Sequence, residues 1–280
     1  MPRCYWRRRV GALGVLTLLA LVLAVPSAPV PAVGVRPGPP AGQCTVGTVA
    51  VAPPQRGHQA GQDVVHNDAS GRRELVVPHP SQVAVLIGDS QAAGAAGVAG
   101  DRTWPQLALR AAGYTVAFRG RGGTGFATGN GSDPDYVAAL RQEHWLLPHG
   151  DVGLVVVEGG GNDARTGAPD AAIVAGEAAL VAELRRSYPR SPIVIVGTLA
   201  HSARDGGGRR HQVDALLGGA ARRQGLAFVS AGSWLTTHKL AAHLADQVHL
   251  DSVGHRLAAR ALLQALAEAG LGRKGPAMTP

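Results

Sequence analysis

From residue 83 onward, short apolar runs alternate with segments of helical period. The runs cover 83–87, 114–118, 153–157, 193–196 and 226–229; the helical segments cover 104–112, 135–147, 170–187, 211–223 and 253–269. Within 170–187, Ile173, Val174, Ala178, Val181 and Leu184 fall close to a 3.6-residue period. Pro189 lies just beyond and stops that helix. Strands apolar on both faces, alternating with helices, predict a parallel sheet covered on both sides. The expected fold is therefore α/β, a three-layer sandwich around a five-stranded parallel sheet. A domain over 81–272, about 190 residues, is long enough for a sizeable core.

The N-terminal pattern is different. Arg3, Arg7, Arg8 and Arg9 precede an uncharged stretch from 10 to 25, and Pro26, Ser27, Ala28, Pro31 and Ala32 follow. A basic segment, an apolar segment and small residues in that order predict a secretory signal over 1–32, cleaved between 24 and 32. The apolar stretch is shorter than the roughly 20 residues of a comfortable membrane span. Membrane attachment is expected only through this segment if it stays uncleaved. Residues 33–80 are rich in Pro and Gly without sustained period and read as a linker or N-terminal extension. Within it, Leu75-Val76-Val77 is the one short strand candidate. Residues 273–280 read as a flexible tail.

Charge and cysteine use narrow the function classes. The 27 basic residues against 19 acidic give +8; without the four leader arginines they become 23, and the charge falls to +4. The arginines are scattered and aromatic residues are only 4% of the chain, so platforms for nucleic acid are not expected. Of the two cysteines, Cys4 lies in the leader and Cys44 in the extension. An exported chain of this kind has to be held by its core and not by disulfides.

In an open parallel sheet, ligands bind at the carboxyl ends of the strands. Ser90 follows the first run, a Gly-rich turn at 120–125 the second, and another at 159–163 the third. Asp246 and His249 lie between the fifth run and the last helix, within reach of the same edge. Ser90 is a weak nucleophile until a base takes its proton. His249 is the candidate base, and Asp246, three residues earlier, is placed to hold its Nδ1–H. His243 and His255 are nearby competitors without an acid at that spacing. Asn162, the backbone N–H of Gly122 and the N–H of Ser90 are candidate donors to an oxyanion. A lone serine or asparagine in a turn is ordinarily a turn residue; convergence on one edge is what selects these.

Two patterns fail on inspection. Residues 120–125 fit G-x-G-x-x-G after a strand, but a loop follows instead of a helix start, so a dinucleotide site is not expected. The G-x-S-x-G elbow is absent because Ala92 occupies the second glycine position. No metal-ligand spacing is present, and neither a metal nor a cofactor is expected.

Taken together, Gly88-Asp89-Ser90, Gly122 or Gly123, Gly160-Gly161-Asn162-Asp163 and Asp246-Gln247-Val248-His249 resemble the blocks of the SGNH (GDSL-type) serine hydrolases over roughly 83–271. The resemblance implies a flavodoxin-like sheet. It also implies Ser90 as nucleophile with Asp246 and His249 completing a triad, and Ser90, Gly122 and Asn162 as the oxyanion hole. The implied activity is hydrolysis of carboxylic esters, with acyl transfer to a sugar or wall polymer and a non-catalytic binding module as alternatives. Gln91 departs from the family, standing where its name-giving leucine would be, beside the mouth of the site. The expected partner is a small-molecule, carbohydrate or lipid ester, with short acyl groups favoured, and the expected state is a secreted monomer. Arg204, Arg209 and Arg210, after the fourth run, have the charge to attract an acidic substrate, but a solvated loop is the favoured reading.

Overall fold

The computed structural model describes residues 63–272. The leader, Cys44, most of the extension and the tail after 272 lie outside the described residues. The strands are β1 (Val64–Asn67), β2 (Arg72–Leu75), β3 (Val83–Gly88), β4 (Thr115–Gly120), β5 (Leu154–Glu158), β6 (Ile193–Val196) and β7 (Ala227–Val229). The helices are α1 (Ser90–Ala93), α2 (Trp104–Ala111), α3 (Tyr136–Arg141), α4 (Gly161–Thr166), α5 (Asp170–Ser187), α6 (Gly208–Arg223), α7 (Trp234–Thr237) and α8 (Ser252–Glu268).

The sheet runs β4-β3-β5-β6-β7 and every pairing in it is parallel. This is the flavodoxin-like order, in which the chain reverses direction of travel between β3 and β5 and opens a crevice there. Its cause is visible in the side chains. Val85 and Ile87 of β3, Val155 and Val157 of β5 and Ile195 of β6 pack under α3, α5 and α6. Their neighbours Ala84, Leu86, Leu154, Val156, Val194 and Val196 pack under α2 and α8. Period-two alternation sends apolar groups to both faces, and only helices on both sides can keep them from water. Burying each large one contributes about 1.5–3 kcal/mol.

All five expected strands and all five expected helices form, with α3 cut short at Arg141. Glu143 takes a left-handed φ of 54°, and the His144 N–H closes back on the Ala139 carbonyl at 2.9 Å. That is the usual helix-ending turn, but with glutamate in the place that glycine normally marks. Glu143 accepts from the Arg73 backbone N–H at 2.9 Å and from Arg73 Nε at 2.7 Å, which fixes it there.

The sequence offers only Leu75-Val76-Val77 as a strand before the sheet, whereas the structure has an antiparallel hairpin of β1 and β2. It docks through the Leu75 N–H to the Leu147 carbonyl (2.8 Å) and the His149 N–H to the Leu75 carbonyl (2.7 Å). Arg72 is buried and pairs with the equally buried Glu183 on α5, with Ser187 Oγ as a second acceptor at 2.9 Å. An anchor made of an ion pair has no apolar period, so the pattern of hydrophobic positions cannot show it.

Candidate active site

Parallel strands end together, so the turns after β3, β4 and β5 meet at one edge. Gly120 makes the meeting close. It pairs with Gly88 across β3 and β4, and a Cβ on it would overlap the Gly88 carbonyl oxygen. The next turn then passes beside Ser90, where a Cβ on Gly122 would stand 3.5 Å from Ser90 Cβ. Gly123 faces Asn130 instead, and its φ of 85° needs glycine. Asn130 Nδ2 donates to the Gly122 carbonyl at 2.8 Å and holds that peptide. Asp163, the first-turn acid of α4, accepts from the Phe126 and Ala127 N–H groups at 3.0 and 2.8 Å and ties the same loop down.

Ser90 opens α1, capped by Asp89, whose side chain accepts from the Gln91 N–H at 2.8 Å. Ser90 Oγ and His249 Nε2 are 2.9 Å apart, and His249 Nδ1 and Asp246 Oδ2 are 2.7 Å apart. With Asp246 accepting at Nδ1, the imidazole carries its proton there and turns a bare Nε2 to the serine. Asp246 Oδ1 accepts from the Val248 and His249 N–H groups, both at 2.7 Å. The bond from His249 Nδ1, with these two beside it, holds the Asp246 carboxyl down at about 2. Asp246 is therefore ionised at neutral pH.

The segment carrying them is itself stapled. The Ala245 N–H donates to the His249 carbonyl and the Asp251 N–H to the His243 carbonyl, each at 2.8 Å. Gln91 is buried, its Nε2 donating to the Val248 carbonyl at 2.8 Å and its Oε1 accepting from Trp104 Nε1 at 3.3 Å. The sequence places Gln91 at the mouth of the site; its amide instead turns inward and braces the histidine segment against α1.

The competing histidines have structural partners. His255 is buried, its Nδ1 accepts the Trp104 N–H at 3.0 Å, and burial lowers it to about 4. His243 sits 3.5 Å from Asp251, the cap of α8.

Asn162 reaches the same cleft as expected, but its amide is already engaged. Nδ2 donates to Asp89 Oδ2 and to the Thr124 carbonyl, both at 3.0 Å, and Oδ1 faces Arg165 Nε at 3.4 Å. The N–H groups of Ser90 and Gly122, by contrast, meet no acceptor among the described residues. Under the cleft lie two buried acids. Burial pushes Asp89 up to about 6 and Glu158, with Asp89 beside it, well above the usual range. Glu158 Oε2 has no hydrogen-bond partner among the described residues.

The cleft holds about 280 Å³ and is lined by Ser90, Gln91, Gly122, Asn162, Val248 and His249, with Arg165 and Arg210 on its wall. The arginines after β6 divide: Arg209 is tied to the Ala168 carbonyl and Asp170, and Arg204 is exposed, while Arg210 enters the cleft. Arg165 was not among the sequence candidates. It follows Asn162 by three on a one-turn helix that the hydrophobic pattern does not reveal. Among the described residues, no group of three or more His, Cys, Asp or Glu is placed to hold a metal ion.

A serine hydroxyl bonded to an oriented imidazole, beside free backbone donors, is the equipment of nucleophilic acyl chemistry. Residues 86–257 match the model of the GDSL-like lipase/acylhydrolase family, and the chain belongs to that family. Among solved structures, it is similar to an active-site mutant of a family two carbohydrate esterase from Clostridium thermocellum, at 16% identity over 72% of this chain and 69% of that one (TM-score 0.56). It is also similar to the salicylyl-acyltransferase SsfX3 of a tetracycline biosynthetic pathway, at 19% identity over 72% and 60% (TM-score 0.53). A third is the inhibitor-bound aryl esterase of M. smegmatis, at 18% over 67% and 99% (TM-score 0.50). At these identities the likeness is one of fold. No curated protein matches the chain.

Proposed function

We propose that this chain is a secreted serine esterase that hydrolyses carboxylic esters of short acyl groups through an acyl-serine intermediate. The observation that carries the reading is the unbroken hydrogen-bonded series Ser90 Oγ, His249 Nε2, His249 Nδ1 and Asp246 Oδ2, opening on a cleft beside Gly122. Ser90 Oγ attacks the ester carbonyl carbon while its proton passes to His249 Nε2. The oxyanion is received by the N–H groups of Ser90 and Gly122, and by Asn162 once one of its N–H groups exchanges its present acceptor for the oxyanion. The leaving alkoxide takes the proton from His249 and departs as the alcohol, leaving acyl-Ser90. Water then gives a proton to His249 and attacks the acyl carbon; the intermediate expels Ser90 Oγ, which takes that proton back from His249 as the carboxylic acid leaves. Asp246 stabilises the imidazolium formed in both halves without taking a proton itself.

Export is supported by the basic and apolar composition of 1–32. Acyl transfer uses the same residues with an alcohol in place of water, and the acyltransferase among the structural neighbours favours testing for it. Product analysis with and without added alcohol separates the two.

The direct test of the ester reading is turnover of short p-nitrophenyl esters by the full chain and by Ser90→Ala. The variant is expected to lose at least ~10³-fold in kcat with an unchanged circular dichroism spectrum. Undiminished turnover overturns the assignment of Ser90.

A further inference from the structure

The wall of the cleft carries two positive side chains that the ester chemistry does not use. Arg210, on the first turn of α6, is half-buried and lies against Gly161, where a Cβ would stand 2.9 Å from its Nη1. Its guanidinium has no hydrogen bond or ion pair with any described residue. Arg165, on α4, is exposed and makes one 3.4 Å contact, to Asn162 Oδ1. The two are close enough to repel, and burial already lowers Arg210.

Other arginines of this chain show what a settled guanidinium looks like. Arg72, Arg141 and Arg186 converge on Glu183, Arg190 is held by Asp151, and Arg209 by Asp170. Arg210 is attracted by two acids and bonded by neither. Asp89 and Glu158 attract it at a distance, but Asp89 spends its oxygens on the Gln91 N–H and Asn162, and burial disfavours charge on both acids. Their compensation is therefore incomplete, and the donors of Arg210 stay open toward the cleft. A planar guanidinium beside a second one is the arrangement that takes a carboxylate in two parallel hydrogen bonds.

We propose that Arg210, with Arg165, forms an anion subsite, so that the preferred substrate is an ester bearing a carboxylate close to the scissile bond. This rests on the esterase reading of the same cleft. The carboxylate belongs either to the acyl portion, as in a dicarboxylic half-ester, or to the alcohol portion, as in an acetylated hydroxy acid. Both sources present the same group to the arginines.

Two arms distinguish them. In the first, kcat/KM of the full chain is compared for p-nitrophenyl hemisuccinate and p-nitrophenyl butyrate, which share a leaving group. In the second, O-acetylglycolate is compared with ethyl acetate. One acidic ester of the two pairs is expected to lead its neutral partner by ~10-fold or more at low ionic strength. That ratio should fall toward one in Arg210→Met and in high salt, and part of the way in Arg165→Met, whose exposed position tolerates change. Ratios near or below one in both pairs, or ratios that Arg210→Met leaves untouched, overturn the proposal. Binding of monomethyl succinate and of O-acetylglycolate to Ser90→Ala, measured by calorimetry, separates the subsite from the chemistry. Binding that vanishes in Ser90→Ala/Arg210→Met upholds the subsite even where no ester is turned over. Failure of Ser90→Ala to bind either anion counts against the subsite even where neutral esters are hydrolysed.

Discussion

Gln91 shows how much a single side chain beside Ser90 can do through its own hydrogen bonds. Its amide bridges the Val248 carbonyl, on the segment that carries His249, and Trp104 Nε1, at the start of α2. Replacing it with the family's leucine removes both bonds and leaves a half-buried carbonyl and a buried indole N–H to find other partners. Gln91→Leu is therefore expected to lower kcat by ~10-fold with KM little changed, because the imidazole is less well held. Steady-state kinetics on a short p-nitrophenyl ester check this; an unchanged kcat contradicts the bracing role. The position of Gln91 was legible in the sequence, but its role was not. Its acceptor is a backbone carbonyl 157 positions away, which no side-chain pattern encodes. The contacts of Ser90, Asp246 and His249 were legible for the opposite reason, since the proposed chemistry demands particular side chains in a particular spacing. For Asn162 only the place was legible, and its engagement with Asp89 and Thr124 emerged with the fold.

Elements built on apolar period were readable, and those built on polar contacts were not. The five sheet strands and α5 follow directly from their apolar side chains, buried in most and half-buried in β4. The β1–β2 hairpin depends on Arg72 and Glu183, α3 ends at a glutamate held by Arg73, and α4 has a single turn. Between α5 and α6 lies another polar element. Glu177 is fully buried, with Oε1 accepting from Gln224 Nε2 at 3.1 Å and Oε2 without a hydrogen-bond partner among the described residues. Burial raises its carboxyl to about 7. An acid whose folded value is raised favours the native state below its unfolded value, near 4.5, and that stability is lost as pH rises through about 7. Glu177→Gln keeps an acceptor for Gln224 and removes the charge. It is expected to raise the melting temperature at pH 8 by about 2–4 °C and to give no gain at pH 5. Scanning calorimetry at both values decides it; the same shift at both contradicts a charge-based cost.

Across the whole molecule, the strand order does the work of assembly. The crevice between β3 and β5 is where the flavodoxin-like order changes direction, and Ser90 and Asn162 leave those two strands at their carboxyl ends. Gly122 arrives from β4, and the stapled segment before α8 brings His249 from the far end of the chain. The family match over 86–257 covers this whole assembly. The proposed function requires Ser90 to be a nucleophile activated by His249. Labelling the purified protein with a fluorophosphonate, and mapping the adduct by peptide mass spectrometry, decides this. One phosphonyl group is expected on Ser90 Oγ, with loss of fluoride, and labelling is expected to slow strongly in His249→Ala. Ser90 left unmodified, or labelled as fast without His249, contradicts the proposed function.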